Sequence, residues 1–466
     1  QRARVEYALH GGRLNTDFID NSGGVDSSDR EVNIKILLGD VVKKKGMTRK
    51  KRDELLASMT EDVANLVLRN NYLQTQAISM SETLSADRID ETARLIADLE
   101  RAGLLDRDLE CLPHESEIED RRARKIGFTR PELAVVLSYA KIDTYNGLIR
   151  SNDTLEDFLE LDPQRYFPDV LRRRYSDLIP HHRLSRQILA TLLANAVVNR
   201  MGPAFAKRLQ VDTGAEVITV VRAYEAARTL CRTEPLLKTI ESLDHKIPAS
   251  AQMSMMFEIS RTLRHACYWL IERWGDDLDI VRTVDRLRDG MARVYGRSST
   301  YLSKASRVRH DNAQRDWLEM GVPEALANRM SLLLLTRAAL DIADLAAERR
   351  RDALDCARLY SACNDALSLH TLHNYAEDLK VSGRWQAMAR SNLRDEFYSI
   401  RRELGSQLLT RRSKRRPEDV ARAWLDKHAE GIDKFLHMLD EMKLHGDIDF
   451  ATLSFAAQEL RDLISN

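Results

Sequence analysis

The residues best suited to chemistry form one short run near the start of the chain, Thr16-Asp17-Phe18-Ile19-Asp20-Asn21-Ser22-Gly23-Gly24-Val25-Asp26-Ser27-Ser28-Asp29-Arg30-Glu31. The Gly23-Gly24 pair lets backbone approach a ligand closely, because no Cβ stands in the way. Ser28-Asp29-Arg30-Glu31 fits the capping box S-x-x-E, so a helix is expected to begin at Ser28 and run to about Leu38. The N-terminus of such a helix offers free N–H groups and a positive dipole end to an anion. Ser28 can then either cap the helix, the commoner use of serine there, or donate its hydroxyl to a bound carboxylate. The cluster of Asp17, Asp20, Asp26 and Asp29 suggests calcium. It fails the EF-hand pattern, since Val25 stands where a loop opened at Asp20 requires glycine.

The elements that must position this run follow from glycine, proline and apolar spacing. Six of the 19 glycines lie in the first 46 residues (Gly11, Gly12, Gly23, Gly24, Gly39 and Gly46), so this segment needs positive-φ or close-approach backbone that the rest does not. Arg4 to His10 reads as a helix end with Gly11 as its C′ residue. Leu14 to Asp20 alternates loosely as a short strand, and Asn21 to Ser27 reads as a loop before the helix from Ser28. Helix, strand, glycine-rich loop and helix make an α/β arrangement.

After Asp40 the pattern is helical. Leu55, Leu56, Met59, Val63, Leu66 and Val67 keep i, i+3, i+4 spacing, and so do Leu189, Leu192, Leu193, Ala196, Val197 and Met201 up to Gly202-Pro203. Thr129-Arg130-Pro131-Glu132 is a second capping box, opening a helix to about Tyr145. Long helices are expected over about 248–274, 324–350, 351–380, 385–412 and 417–444, with prolines at the boundaries. The predicted fold is mainly α: a short α/β segment followed by a large all-helical bundle.

Composition agrees. Charged residues are 31% of the 466 and aromatics 6%, with only 10 prolines, a balance that favours long solvent-facing helices over sheets and turns. Lys+Arg and Asp+Glu are equal at 72 each, so no net field draws the chain to nucleic acid or an anionic membrane. Cys111, Cys231, Cys267, Cys356 and Cys363 are an odd number without C-x-x-C spacing, which reads as buried thiols of a reduced, cytoplasmic protein. No apolar stretch approaches the roughly 18 residues that span a bilayer. The chain opens at Gln1, without an initiator Met, and reads like a piece of something longer.

The run at 16–31 resembles the glutamate dehydrogenase superfamily pattern P-D-x-x-x-N-x-G-G-V-x-x-S-x-x-E, matched at Asp17, Asn21, Gly23, Gly24, Val25, Ser28 and Glu31, with Thr16 in place of proline. Its wording, with Glu31-Val32-Asn33-Ile34-Lys35-Ile36, is similar to the large bacterial NAD-specific class. So are Asn71-Tyr72-Leu73-Gln74-Thr75-Gln76-Ala77, Leu105-Asp106-Arg107, Thr129 to Val135, Tyr139-Ala140-Lys141, Ala194-Asn195 and Val198-Asn199-Arg200. The matches extend to about residue 290. Beyond about residue 300 the resemblance rests on helical character.

The resemblance implies oxidative deamination of L-glutamate to 2-oxoglutarate and ammonium with hydride transfer to NAD. It implies that Asn21 contacts the cofactor, Val25 walls the glutamate pocket and Ser28 holds the substrate γ-carboxylate, the Gly23-Gly24 backbone lying beside them. Residues 1–39 would be the end of a Rossmann-type catalytic domain. Residues 40–466 would be a C-terminal helical domain, in lobes of about 40–300 and 301–466. The family's lysine that polarises the 2-oxo group and its proton-handling aspartate would lie upstream of Gln1, so no catalytic residue is assigned here. No G-x-G-x-x-G follows a strand pattern, so this piece alone is expected neither to hold NAD nor to transfer hydride. A homo-oligomer is expected, with no metal, nucleic-acid or membrane partner. The reading of another class is a helical interaction or assembly module without chemistry of its own.

Other candidates have plainer explanations. His370 with His373 and His181-His182 lack a carboxylate or thiol at ligand spacing, so helix surface or partial burial is the first reading. The basic runs Lys43–Lys45, Arg49–Arg52, Arg121–Lys125 and Arg411–Arg416 lack aromatic interleaving, so solvated charge is preferred over phosphate contact. Met253, Met255, Met256 and Phe257 read as core packing.

Overall fold

Beyond Asp40 the apolar period calls for helix, and helix forms almost throughout the computed structural model, which describes residues 1–151, 158, 163–381, 384–409, 415–446 and 448–465. Among the described residues there is no strand. The chain divides into two compact units, residues 1–228 with 259–281 and residues 229–258 with 282–466.

The first unit holds α1 (Arg2–Leu9), α2 (Asp17–Asp20), α3 (Ser22–Lys45), α4 (Arg49–Ser58), α5 (Thr60–Thr83), α6 (Ile89–Arg101), α7 (Arg107–Glu110), α8 (Glu115–Ala123), α9 (Arg130–Arg150), α10 (Asp169–Arg174), α11 (Ser185–Met201), α12 (Phe205–Thr213) and most of α13 (Val217–Leu230). Helix α9 is the hub. Leu133 to Leu137 are all buried, whichever way they face, because α1, α5, α6 and α11 pack around the helix. A second core joins Ile34, Leu37, Leu38 and Val41 of α3 to Leu55, Met59, Tyr166, Phe167 and Leu171.

The expected start of α9 is present. The Glu132 carboxylate accepts the Thr129 backbone N–H at 2.6 Å and its hydroxyl at 2.8 Å. The helix runs to Arg150, five residues past the expected end. At α1 the chain closes as expected, with Gly11 at φ +89°. Gly12 makes a close approach instead, because a Cβ there would fall on the Tyr7 ring.

The second unit holds α14 (Thr233–Glu241), residues 249–258 of α15 (Ala249–Trp274), most of α16 (Ile280–Gly296), α17 (Lys304–Glu319), α18 (Glu324–Leu332), α19 (Thr336–Arg349), α20 (Ala353–Ala366), α21 (Leu369–Asp378), α22 (Arg384–Leu408), α23 (Pro417–Lys427), α24 (Ala429–His445) and α25 (Phe450–Ser465). Helix α16 lays Val284, Leu287, Met291 and Val294 into the core at helical spacing. Gly290 permits contact with α19, since a Cβ there would sit 2.9 Å from that of Ala343.

Five expectations change. The strand over Leu14–Asp20 is absent: Thr16 O accepts from Ile19 N at 3.1 Å and Asp20 N at 3.0 Å, which closes the one-turn helix α2. The helix expected from Ser28 begins at Ser22, as discussed below. Three long helices are each two. Leu333–Leu335 tightens to a 3₁₀ turn between α18 and α19. Ser368 takes a left-handed φ of 48° between α20 and α21. At His428 the ring stacks on Trp424 and its Nδ1 lies 2.8 Å from Trp424 O, as α23 gives way to α24. Periodicity marks an apolar stripe and does not register a one-residue break within it.

Candidate functional site

Helix α3 reaches back to Ser22 despite two glycines because its first turn is held from outside. Asn71 of α5 donates to Ile19 O at 2.9 Å and to Ser22 Oγ at 2.8 Å. Ser27 Oγ donates back to Gly23 O at 2.6 Å. These bonds offset the roughly 1 kcal/mol that each glycine costs in a helix. Ser28 is therefore the seventh residue of α3 and not its cap. Neither Gly23 nor Gly24 has positive φ, and a Cβ at either would meet only ordinary contacts at 3.7 Å. The helix N-terminus lies at Asn21, whose side chain does not cap it.

The early start of α3 has a consequence. Asn21, Gly24, Val25 and Ser28 stand at i, i+3, i+4 and i+7, and all four are exposed. Val25 is 76% exposed and Val32, one turn beyond Ser28, is 52% exposed. Among the described residues neither Asn21 nor Ser28 has a side-chain hydrogen bond, so an amide and a hydroxyl flank a valine on one open face. Gly23 is half-buried, turned toward Val67 of α5.

The opposite side of α3 carries a polar cluster. Asp26 accepts from Arg30 Nε at 3.2 Å and from Asn70 Nδ2 at 2.7 Å. Beside it Lys141 of α9 donates to Gln74 Oε1 at 3.2 Å. Burial pushes the Lys141 amine down to about 7, with the Asp26 charge working against that push. An amine so poised can take up or release a proton near neutral pH. Further along α3, Asn33 donates to Tyr166 Oη at 2.8 Å, and that hydroxyl donates to Asp29 at 2.5 Å. His182 is fixed as the neutral ring, because Leu184 N donates to its Nδ1 at 3.0 Å while Nε2 faces Asn33 O at 3.1 Å. Burial lowers its pKa accordingly.

Asn70 was not singled out from the sequence, and Asn71 and Lys141 entered only within matched wording, with no role assigned. A signal existed for Lys141: it follows an apolar run, Leu133 to Leu137 and Ala140, that only a helix buried on every side would carry. Other matched wording is structural. Asp106 caps α7 through Leu109 N at 3.0 Å, and Arg107 is buried against Glu100 at 2.8 Å and Pro113 O at 2.9 Å.

Each basic run has members held in ion pairs. Lys45 meets Asp177 at 2.8 Å, Arg52 meets Asp53 at 2.7 Å, and Arg122 meets Asp90 at 2.6 Å. Arg121 is buried in a bidentate pair with Glu132, both bonds 2.9 Å. Of the run Arg411–Arg416, residues 411–414 lie outside the described residues. Met255 and Met256 are buried in the core. Among the described residues no three His, Cys, Asp or Glu side chains gather as a metal site, and no single helix is long and apolar enough to cross a membrane. Cys231, Cys267, Cys356 and Cys363 are buried thiols outside any disulfide, and Cys111 is half-buried.

Two family models match the chain. Residues 1–81 match the bacterial NAD-glutamate dehydrogenase catalytic domain, and residues 125–462 match the glutamate dehydrogenase C-terminal model. Among curated proteins, the NAD-specific glutamate dehydrogenase of Pseudomonas aeruginosa is 37% identical over 466 residues, covering 99% of this chain and 29% of that protein. The protein of the same name from Halomonas elongata is 36% identical with the same coverage. That of Mycobacterium tuberculosis is 32% identical over 98% of this chain and 28% of its own length. The chain thus spans less than a third of the length of these relatives. Matched by the family's models at both ends and by these relatives along nearly its whole length, the chain belongs to the bacterial NAD-specific glutamate dehydrogenase family.

Proposed function

We propose that the protein carrying this chain oxidatively deaminates L-glutamate to 2-oxoglutarate and ammonium with hydride transfer to NAD, and that residues 1–39 complete its substrate pocket. One observation carries the placement: Asn21, Gly24, Val25 and Ser28 share one exposed face of α3, with Val25 76% open to solvent. In this reading Ser28 Oγ donates to the substrate γ-carboxylate, Val25 packs on its methylenes, and the Asn21 amide meets the cofactor beside the reacting carbon. The bare turn at Gly23-Gly24 lets these groups come close. NAD supplies the hydride acceptor when bound. The residues described here fit it only at Asn21, since among them no strand leads into a glycine-rich turn that could cradle a diphosphate. No step through the dinucleotide is therefore derived. The Rossmann-type remainder and the catalytic lysine and aspartate belong, in this reading, to the rest of the protein. Residues 40–466 act as a helical scaffold for a homo-oligomer, without metal, nucleic-acid or membrane partner.

The test is Ser28→Ala in the full-length protein. Loss of a hydrogen bond to a charged group costs about 1.5–3 kcal/mol, so KM for L-glutamate should rise roughly 10- to 150-fold. Because Ser28 is inside a helix and caps nothing, the melting temperature should hold or rise slightly, alanine being the better helix former. An unchanged KM sinks the assignment of Ser28. Failure of the unmodified protein to reduce NAD with L-glutamate sinks the whole reading.

A further inference from the structure

The first unit gathers three arginines: Arg88 leads into α6, Arg208 stands on α12, and Arg264 on the part of α15 that belongs to this unit. Two carboxylates lie among them. Arg208 binds both, Nη1 to Glu91 at 3.2 Å and Nε to Asp212 at 3.4 Å. Arg88 adds only a 4.0 Å approach to Glu91. Tyr268, one turn along α15 from Arg264, donates its hydroxyl to Asp212 at 2.5 Å. Burial works to raise the Glu91 carboxyl, but Arg208, Arg88 and Arg264 outweigh it and hold the group below its usual range. Glu91 is therefore an anion already shared between closer arginines. Three guanidinium groups against these two acids leave one positive charge uncompensated.

That charge belongs to Arg264. The side chain is half-buried, forms no hydrogen bond or ion pair with any described residue, and keeps its nitrogens open to solvent. Burial, then the charges of Arg88 and Arg208, push it down to about 10, with Glu91 and Tyr268 working against them. A half-buried cation repelled by two neighbours costs stability until an anion joins it. The donors left open come from three elements: the whole of Arg264, Nη2 of Arg208, and Arg88. Donors converging from several directions suit a tetrahedral oxyanion, whereas a planar carboxylate takes its paired bonds along one guanidinium edge. We propose that this cluster binds a small phosphate-type oxyanion, free or as the phosphate group of an ester, with Arg264 as its main ligand and Arg88 and Arg208 beside it.

The experiment titrates the full 466-residue chain calorimetrically with inorganic phosphate and with methyl phosphate, chloride holding the ionic strength constant. One saturable site is expected. Arg264→Met, which removes the donors and keeps an apolar stem, should weaken binding at least about tenfold, the loss of one charge-assisted bond. Phosphate should raise the melting temperature of the parent chain and leave that of the variant unchanged. Arg88→Gln, which has no described partner nearer than 4.0 Å, should also weaken phosphate and decides the matter should Arg264→Met fail to fold. Methyl phosphate binding as tightly as phosphate assigns the site to an ester, and phosphate binding alone assigns it to the free anion. No saturable binding of either at constant ionic strength overturns the proposal, and so does undiminished binding in Arg264→Met, or in Arg88→Gln where only that variant folds.

Discussion

At the scale of single residues, context set the roles more than residue type did. Ser28 matches a capping signature, yet it lies in the second turn of α3 and is exposed, since Asn71 holds the chain helical from Ser22. Lys141 is the converse. Nothing about an isolated lysine marks it, but burial lowers its pKa from 10.5 to about 7. The folded chain therefore binds fewer protons than the unfolded chain between about pH 7 and 10.5. Stability rises with pH across that window, and the penalty is fully present below it. Lys141→Met removes the penalty, and methionine adapts to the same space. Stability near pH 6 should then rise by ~2 kcal/mol, a value discounted from the full shift because the side chain is partly exposed. The gain should fade as the pH is raised toward about 9. Urea unfolding at the two pH values measures it, and a gain that is the same at both would refute the assignment of this amine.

Among elements, α9 shows what was legible and what was not. Its start was readable because Thr129, Pro131 and Glu132 each satisfy a local rule, and local rules are written in adjacent residues. That Glu132 also forms a fully buried pair with Arg121 was not readable, because the partner comes from a different helix, α8. The same division holds elsewhere. The end of α1 at Gly11 is a local signal and was found. The start of α3 depends on a bond from α5, and the breaks at Leu333–Leu335 and Ser368 fall within unbroken apolar stripes. The site residues Asn21, Gly23, Gly24, Val25 and Ser28 were singled out by their pattern, whereas the face they share became visible only with the true register of α3. The Glu132 pair gives a sharp expectation. Glu132 is 0% exposed and Arg121 is 4% exposed at their side chains, so Glu132→Ala leaves the buried cation only its 2.6 Å pair with the exposed Glu117 and should cost about 3 kcal/mol. Thr129→Ala, which removes only a cap, should cost about 1 kcal/mol. Hydrogen-exchange protection of α8 and α9 is the readout, and equal effects of the two variants would show that the buried pair contributes nothing beyond the cap.

At the scale of the whole chain, the division into units does not follow chain order. Residues 229–258 and 282–300 belong to the same compact unit as everything after them, and the bonds that tie α16 to the later helices are specific. The Tyr295 hydroxyl donates to Thr336 Oγ1 at 2.8 Å. Arg286 Nε donates at 2.9 Å to Asp344, which also takes a 2.6 Å bond from Arg402. Arg293 pairs with Asp352 at 2.7 Å, and Gly290 packs directly on Ala343. Truncation after Thr300, in the turn before α17, would thus cut through one folded unit instead of between two. The truncated chain should expose the stripe of Val284, Leu287, Met291 and Val294, whose burial is worth about 1.5–3 kcal/mol per side chain. Residues 282–296 should then lose slow hydrogen exchange, and the protein should bind a hydrophobic dye or aggregate. Amides of α5 and α9, in the first unit, should stay protected because their core lies within 1–228 and 259–281. Protection of residues 282–296 that survives the cut would mean that α16 is held without α19, and the second unit would have to be redrawn.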